Sequence, residues 1–322
     1  MTQLIAELCQ NHNGDKDTLF RMLHEAAASG ATYVKVQNIF ANMLKFRPQF
    51  EDGLVQKGKV LCIQRPFKTE YDRLKSLEIA ESTLFEFIEQ ARNLGVIPMT
   101  TCFSRGDIKR LYELGFRHVK VASYDCASFQ MLREIAQFNW EIIVSTGATF
   151  DNEISKAAKI LRDTNFAFLH CVTIYPTPID EVHISRMEFL KRYAPKVGFS
   201  DHTLVKSDGT IAAKVAILKD AALVERHFTI LPANQSKDGP VSIGPKQMSE
   251  LKQFSELSKS DMQAHLDDIF PDWHRCLGKA DRALSNEEIL NRDYYRGRFA
   301  TPVEQANSGQ RMIDNWDEVD LC

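Results

Sequence analysis

Ile97-Pro98-Met99-Thr100-Thr101, then Arg105–Leu114 closed by Gly115, then His118-Val119-Lys120-Val121-Ala122 reads as strand, helix, strand. The two outer runs are short and apolar almost throughout, as strands buried on both faces must be. The middle segment is amphipathic, and the glycine after it is a helix stop. A strand–helix–strand unit of this size is the element of a parallel sheet with crossover helices.

The same unit repeats in both directions. Leu4–Leu8 and Tyr33–Val36 precede it, and Glu141–Ser145, Phe166–His170, Lys196–Phe199 and Ala222–His227 follow. Helical segments lie between them. Lys16–Ser29 carries Leu19, Met22, Leu23 and Ala26 on one stripe and ends at Gly30, and Thr83–Leu94 ends at Gly95. Ser128–Gln137, Asp151–Arg162, Ile184–Tyr193 and Ala212–Leu218 continue the rhythm, and a last helix starts near Pro245. Eight such units close a (β/α)₈ TIM barrel, expected over residues 1–260. The alternative, a doubly wound open sheet, usually opens on G-x-G-x-x-G, which this sequence lacks.

Two segments break the rhythm. Residues 39–82 form a long insertion with Lys45, Arg47, Lys57, Lys59, Arg65, Lys68, Arg73 and Lys75, and insertions of that length are often functional lids. Residues 261–322 are polar and irregular, and are expected to be a partly helical C-terminal appendage on the barrel. Their run Arg292-Asp293-Tyr294-Tyr295-Arg296-Gly297-Arg298 offers aromatic and guanidinium groups suited to sugars or anions.

The 322 residues are 44% hydrophobic and 26% charged, with a net charge of -3, a balance that argues against a general nucleic-acid binder. The seven cysteines, at 9, 62, 102, 126, 171, 276 and 322, fit no disulfide or zinc spacing. Cys9, Cys102 and Cys171 are expected as small buried hydrophobes. With no signal-peptide pattern and no apolar run near the ~20 residues of a membrane span, the expectation is a reduced, cytoplasmic protein without membrane contact.

A barrel works at the C-terminal ends of its strands. In order, those ends deliver Glu7, Asn11 and His12; Lys35 and Gln37; Thr101; Lys120, Ser123 and Asp125; Ser145 and Thr146; Thr173 and Tyr175; Ser200, Asp201 and His202; Glu225 and His227. Lysines inside Val34-Lys35-Val36 and Val119-Lys120-Val121 are costly unless they meet an anion. Internal ion pairs with Glu7 and Glu225 would satisfy them; so would a bound phosphate and carboxylate cradled with the nearby hydroxyls. His202 and His227 close consecutive strands, a spacing suited to a divalent transition metal. His12, His118 and His170 have weaker claims.

Taken in order, Ala6-Glu7, Asn11-His12-Asn13-Gly14, Val34-Lys35-Val36-Gln37, Lys120-Val121-Ala122-Ser123 and Ser145-Thr146-Gly147 resemble the sialic acid synthase family. The resemblance continues through His170-Cys171, Tyr175-Pro176-Thr177-Pro178, Ser200-Asp201-His202-Thr203 and Glu225-Arg226-His227-Phe228-Thr229. It implies a transferase that condenses phosphoenolpyruvate with a sugar aldehyde, N-acetylmannosamine or a related amino-sugar, to give a 3-deoxy-2-keto sugar acid and phosphate. Lys35, Thr101 and Lys120 would hold phosphoenolpyruvate, helped by Ser123, Ser145, Ser200 and Thr173. His202 and His227 would hold the metal, Mn²⁺ before Mg²⁺ or Co²⁺. Gln37, Tyr175 and Asp238 would face the sugar, and Glu7, Asp125 and Glu225 would manage protons. The family works as a homodimer whose C-terminal antifreeze-like domain lends an arginine to the neighbouring site; residues 261–322 are too few for that domain. Ser123-Tyr124-Asp125 departs from the family's Ser-Gly-Asp/Glu. A Schiff-base pyruvate aldolase and a non-catalytic sugar-binding barrel are the alternatives.

Overall fold

The computed structural model describes residues 1–306 and 309–321. In chain order its strands are β1 (Gln3–Cys9), β2 (Tyr33–Gln37), β3 (Leu54–Gln56), β4 (Lys59–Cys62), β5 (Ile97–Cys102) and β6 (His118–Val121). Then come β7 (Glu141–Ser145), β8 (Asn165–His170), β9 (Lys196–Asp201), β10 (Leu223–His227), β11 (Ala300–Ala306) and β12 (Gly309–Asp314). Eight of them close a parallel barrel in the order β1-β2-β5-β6-β7-β8-β9-β10, as the strand–helix rhythm requires.

Period-two alternation sorts the side chains. Ile5, Tyr33, Met99, Ile143, Ala167, Leu169 and Leu223 form an apolar layer inside the barrel. Two residues further along β1, β2, β5, β7 and β10 stand Glu7, Lys35, Thr101, Ser145 and Glu225. The interior therefore turns from apolar to ionic within one step toward the C-terminal face. The opposite parity, with Leu4, Val34, Val119, Ile142, Phe168 and Val224, packs outward against the helices in the main core. The helix Lys16–Ala28 buries Leu19, Met22, Leu23 and Ala26, and Asp15 caps it by accepting the Thr18 N–H at 2.7 Å. Gly198 permits a close approach: a Cβ there would stand 2.1 Å from the Leu223 carbonyl oxygen.

The 39–82 insertion holds the exposed ribbon β3–β4 and the helix Phe67–Lys75. Ile39, Ala41, Met43, Leu44 and Leu74 cluster with Phe103 and Phe299, which ties the insertion to the chain's C-terminal segment. That segment has the helices Lys259–Ile269 and Asn286–Tyr295 and the antiparallel pair β11–β12. Polar contacts hold it across the mouth. Asn291 donates to Thr173 O at 2.8 Å, and Arg292 donates to Ala148 O at 2.5 Å and Glu153 at 2.6 Å. Asn315 donates to Phe103 O and to Asp125, both at 2.9 Å. The strap thus touches the segments that follow β5, β6, β7 and β8. Among the described residues no helix is long and apolar enough to cross a membrane.

Candidate active site

A cavity of about 320 Å³ opens at the C-terminal face of the barrel. Its floor is the ionic layer. Lys35 Nζ donates to Glu225 Oε2 at 2.6 Å and pairs with Glu7. Lys120 Nζ donates to Glu225 Oε1 at 3.0 Å, and Ser200 Oγ donates to the same oxygen at 2.7 Å. All four ionic side chains are at most 4% exposed. The internal ion pairs weighed from the sequence are therefore present, and the same lysines also line the cavity.

These charges set one another. Burial opposes the Lys35 ammonium, but Glu225 and Glu7 outweigh it and raise Lys35 above its ordinary value. Burial would raise Glu225, but Lys120 and Lys35 hold its carboxyl well below the usual range. Lys120 goes the other way: burial lowers it, Glu225 pulls it up, and repulsion from Lys35 lowers it again, leaving it below the ordinary lysine value. A further anion beside Lys120 would therefore favour its charged form.

Most residues expected at the strand ends line this cavity. Glu7, Lys35, Gln37, Thr101, Lys120, Ser123, Ser145, Tyr175, Ser200 and Asp238 all do so. His202, Glu225 and His227 complete the ring. Thr101 Oγ1 is buried without a hydrogen-bond partner, a hydroxyl that a ligand would satisfy.

Several expected residues are not on the lining. Asp125 sits in a 3₁₀ turn, Ser123–Asp125, that rotates it away from the cavity. It accepts bonds from Ser128 at 2.8 Å and Asn315 at 2.9 Å, and burial pushes its carboxyl up. The lining likewise excludes Thr173, whose carbonyl anchors Asn291. Asn11 is spent on Phe228 O and Ser242, and Asp201 pairs outward with Arg226 at 2.7 Å. His170 Nε2 donates to Val182 O at 2.7 Å, and burial pushes the ring down to about 3. His12 is pushed down to about 4 by burial, and His118 stands beside Glu141 at the opposite end of the strands.

The expected metal pair is close: the His202 and His227 rings lie 5.4 Å apart between centroids. Burial, with His227 nearby, holds His202 well below its ordinary value, so its imidazole is neutral and able to ligate. Its Nε2 meets the Tyr175 hydroxyl at 3.1 Å. His227 Nδ1 is buried with no partner. Among the described residues, the donors able to converge on one ion are Cys9, His227 and Asp238, with ligand atoms within 4.8 Å of one another. Cys9 had been expected as a hydrophobe. It lies at a bulge in β1 with φ of 51°, and its thiol donates to Asp238 at 2.8 Å.

Gln10, Lys237, Glu287 and Asn291 line the cavity without having been expected there, and so does Cys171, expected only as a small buried hydrophobe. Glu287, Asn291 and Tyr295 share one face of the helix Asn286–Tyr295, at i, i+4 and i+8. Tyr295 stacks on Tyr124 with centroids 4.8 Å apart. The bulky Tyr124 is thus a docking surface for the strap.

Known proteins agree with this architecture. The NeuB family pattern matches residues 22–264. An uncharacterised protein of Methanocaldococcus jannaschii is 30% identical over 254 residues, 78% of this chain and 68% of that protein. The N,N'-diacetyllegionaminic acid synthase of Campylobacter jejuni is 29% identical over 270 residues, 80% of this chain and 77% of that enzyme. The crystal structure of the spore coat polysaccharide biosynthesis protein SpsE from Bacillus subtilis shares the fold, with a TM-score of 0.70 at 22% identity over 97% of this chain and 84% of that one. With the matched pattern spanning most of the barrel and the ionic floor in place, the chain belongs to the NeuB family.

Proposed function

We propose that the protein is a transferase that condenses phosphoenolpyruvate with a sugar aldehyde, giving a 3-deoxy-2-keto sugar acid and phosphate. The observation that carries this reading is the buried pair Lys35 and Lys120 at the cavity floor, beside the unpartnered hydroxyl of Thr101. Family membership supports it.

Lys35 and Lys120 bind the anionic groups of phosphoenolpyruvate, and Thr101, Ser123, Ser145 and Ser200 supply hydroxyls around them. As the anion enters, Lys120 exchanges part of its contact with Glu225 for the ligand. Glu225 keeps Lys35 and Ser200 and so remains a paired carboxylate. Fixing the enol in this floor leaves its methylene carbon facing the mouth, where an aldehyde carbonyl can meet it, and converts a collision into an oriented contact. Carbon–carbon bond formation leaves a cationic centre at C2, water adds there, and the adduct expels phosphate. Glu7 and Glu225 are the carboxylates placed to accept the proton of that water. Asp125, bonded to the strap, is a positioning residue in this reading.

His227, Cys9 and Asp238 fit a divalent transition metal, supported by the unpartnered His227 Nδ1 and the convergent donors, and His202, its ring 5.4 Å from that of His227, would be a further ligand. Mn²⁺ bound there would supply Lewis-acid polarisation of the acceptor carbonyl. Gln37 and Tyr175 face the sugar, and the enzyme works as a cytoplasmic homodimer with residues 1–260 as its catalytic barrel.

The lowered Lys120 favours a second reading, a pyruvate aldolase with a Schiff-base lysine. One experiment separates them: phosphate release from phosphoenolpyruvate with a panel of aldoses, beside borohydride trapping with pyruvate. Aldose-dependent phosphate release without a trapped adduct supports the transferase. A borohydride-stable adduct on Lys120 or Lys35 overturns it.

A further inference from the structure

The cavity has two separate charged zones. On the floor, Lys35 and Lys120 are paired with Glu7 and Glu225. The second zone is the rim, where Arg65, Arg73, Lys237 and Arg298 all line the opening. The insertion supplies the first two, the loop after β10 the third and the strap the fourth.

The donors at the rim are only partly used. Arg73 places Nε and Nη2 on Glu70 at 2.9 and 2.7 Å and Nη1 on Gln10 at 2.9 Å. Arg298 shares that one carboxylate through a single bond from Nη1 at 3.1 Å. Its Nε and Nη2 make no hydrogen bond among the described residues. Its guanidinium lies over the rings of Tyr295 and Phe299, 4.8 and 4.2 Å from their centroids. Stacking fixes the plane and leaves the donor edge presented, the arrangement with which arginine recognises planar or tetrahedral oxyanions. Arg65 bonds only its neighbour's carbonyl, Gln64 O, and neither Arg65 nor Lys237 has a carboxylate within ion-pair distance among the described residues. Asp238 accepts from the Cys9 thiol, and Glu287, which is exposed, also lines the cavity.

We propose that this rim is a phosphate subsite for the second substrate. The acceptor is then a phosphorylated aldose, its phosphate at the end remote from the aldehyde. Its phosphate would be held by Arg298 with Arg65, Arg73 and Lys237, and its carbonyl would point down toward the floor. A single dianion answers several cations from different elements, whereas a neutral sugar leaves Arg73 and Arg298 sharing the one Glu70 carboxylate and Arg65 and Lys237 without an ion pair among the described residues. Arg298 is the specificity-determining residue, because it has free donors, a fixed plane and a place on the strap. This rests on the condensing reaction proposed above for the floor.

Calorimetry on the whole chain tests it without turnover. The probes are a hexosamine 6-phosphate and the same hexosamine without phosphate. The proteins are the wild type, Arg298→Gln, Arg65→Gln and Lys120→Met, each checked by its melting curve. The subsite predicts that the wild type binds the sugar phosphate at least tenfold more tightly than the neutral sugar. Arg298→Gln should lose at least tenfold, Arg65→Gln severalfold, and Lys120→Met little, because Lys120 belongs to the floor. Arg65 is exposed, so its variant keeps the test alive if Arg298→Gln folds poorly. Equal binding of the two sugars, or unchanged binding in both arginine variants, overturns the subsite. A loss confined to Lys120→Met also overturns it, since the phosphate would then sit on the floor. Sugar-phosphate binding with the arginine effects, but no phosphate release from phosphoenolpyruvate, would keep the subsite and remove the condensation.

Discussion

Replacing Lys35 and Lys120 one at a time by Met should separate stability from binding. Lys35 is the shared cation of Glu7 and Glu225, and both carboxylates are at most 4% exposed. Without it, Glu7 has no cation within ion-pair distance among the described residues, while Glu225 keeps Lys120 at 3.0 Å and Ser200 at 2.7 Å. Stranding a buried carboxylate in this way costs about 3–5 kcal/mol. Lys120→Met strands nothing, since Glu225 keeps Lys35 at 2.6 Å. It also removes a cation that burial already disfavours. Its stability should stay within about 1 kcal/mol of wild type, the scale of one hydrogen bond. Phosphoenolpyruvate binding should fall in both variants by about 2–5 kcal/mol, the range for truncating one member of a buried charge pair. Urea denaturation reads the first quantity and calorimetry the second. Lys35→Met no less stable than Lys120→Met would refute the stability argument. Lys120→Met binding phosphoenolpyruvate within threefold of wild type would refute the assignment of Lys120 to the anion.

Three other outcomes are expected. Purified protein should bind about one Mn²⁺ per chain, and His227→Ala should abolish this while Cys9→Ser weakens it; unchanged metal content in His227→Ala, measured by elemental analysis, would remove the metal site. His170 is buried neutral, its folded value pushed down to about 3 from the ordinary 6.5. Its unfolded form takes up a proton first as pH falls, so stability drops by about 2 kcal/mol between pH 6.5 and 5; His170→Asn should flatten that slope in denaturation curves, and an unchanged slope would count against it. Deleting residues 290–322 should lower acceptor use while sparing phosphoenolpyruvate binding. It should also lower the melting temperature, because it uncovers Phe103 and Leu44 and breaks the Asn315 bonds to Asp125 and Phe103. Full acceptor turnover in the truncated form would show that the strap does not build the site.

The eight barrel strands were legible because strands buried on both faces must be apolar runs, and a lysine inside one is conspicuous. The alternation also separates inward Ser200 and Glu225 from outward Asp201 and Arg226, a distinction missed in placing Asp201 with Ser200 at the barrel mouth. Where the chain leaves the strand, parity no longer applies. Asp125 turns away in a 3₁₀ turn, and Cys9 turns toward Asp238 at a residue of positive φ. The strap was harder still. Its helix Asn286–Tyr295 is anchored largely by ion pairs, Arg292 to Glu153 and Arg282 to Glu288, both with largely buried side chains. A helix that buries Glu288 and Arg292 shows no apolar stripe, so hydrophobic periodicity could not find it or the face it turns to the cavity.

In the proposed reaction, carbon from phosphoenolpyruvate is joined to an aldose with loss of phosphate. The most direct measurement follows inorganic phosphate and the product's mass together, with Mn²⁺, phosphoenolpyruvate and each aldose of the panel. Phosphate should be released only when both substrates are present, in step with a product heavier than the aldose by one pyruvate unit. Phosphate release that ignores the aldose, or the same product formed from free pyruvate in place of phosphoenolpyruvate, would contradict it.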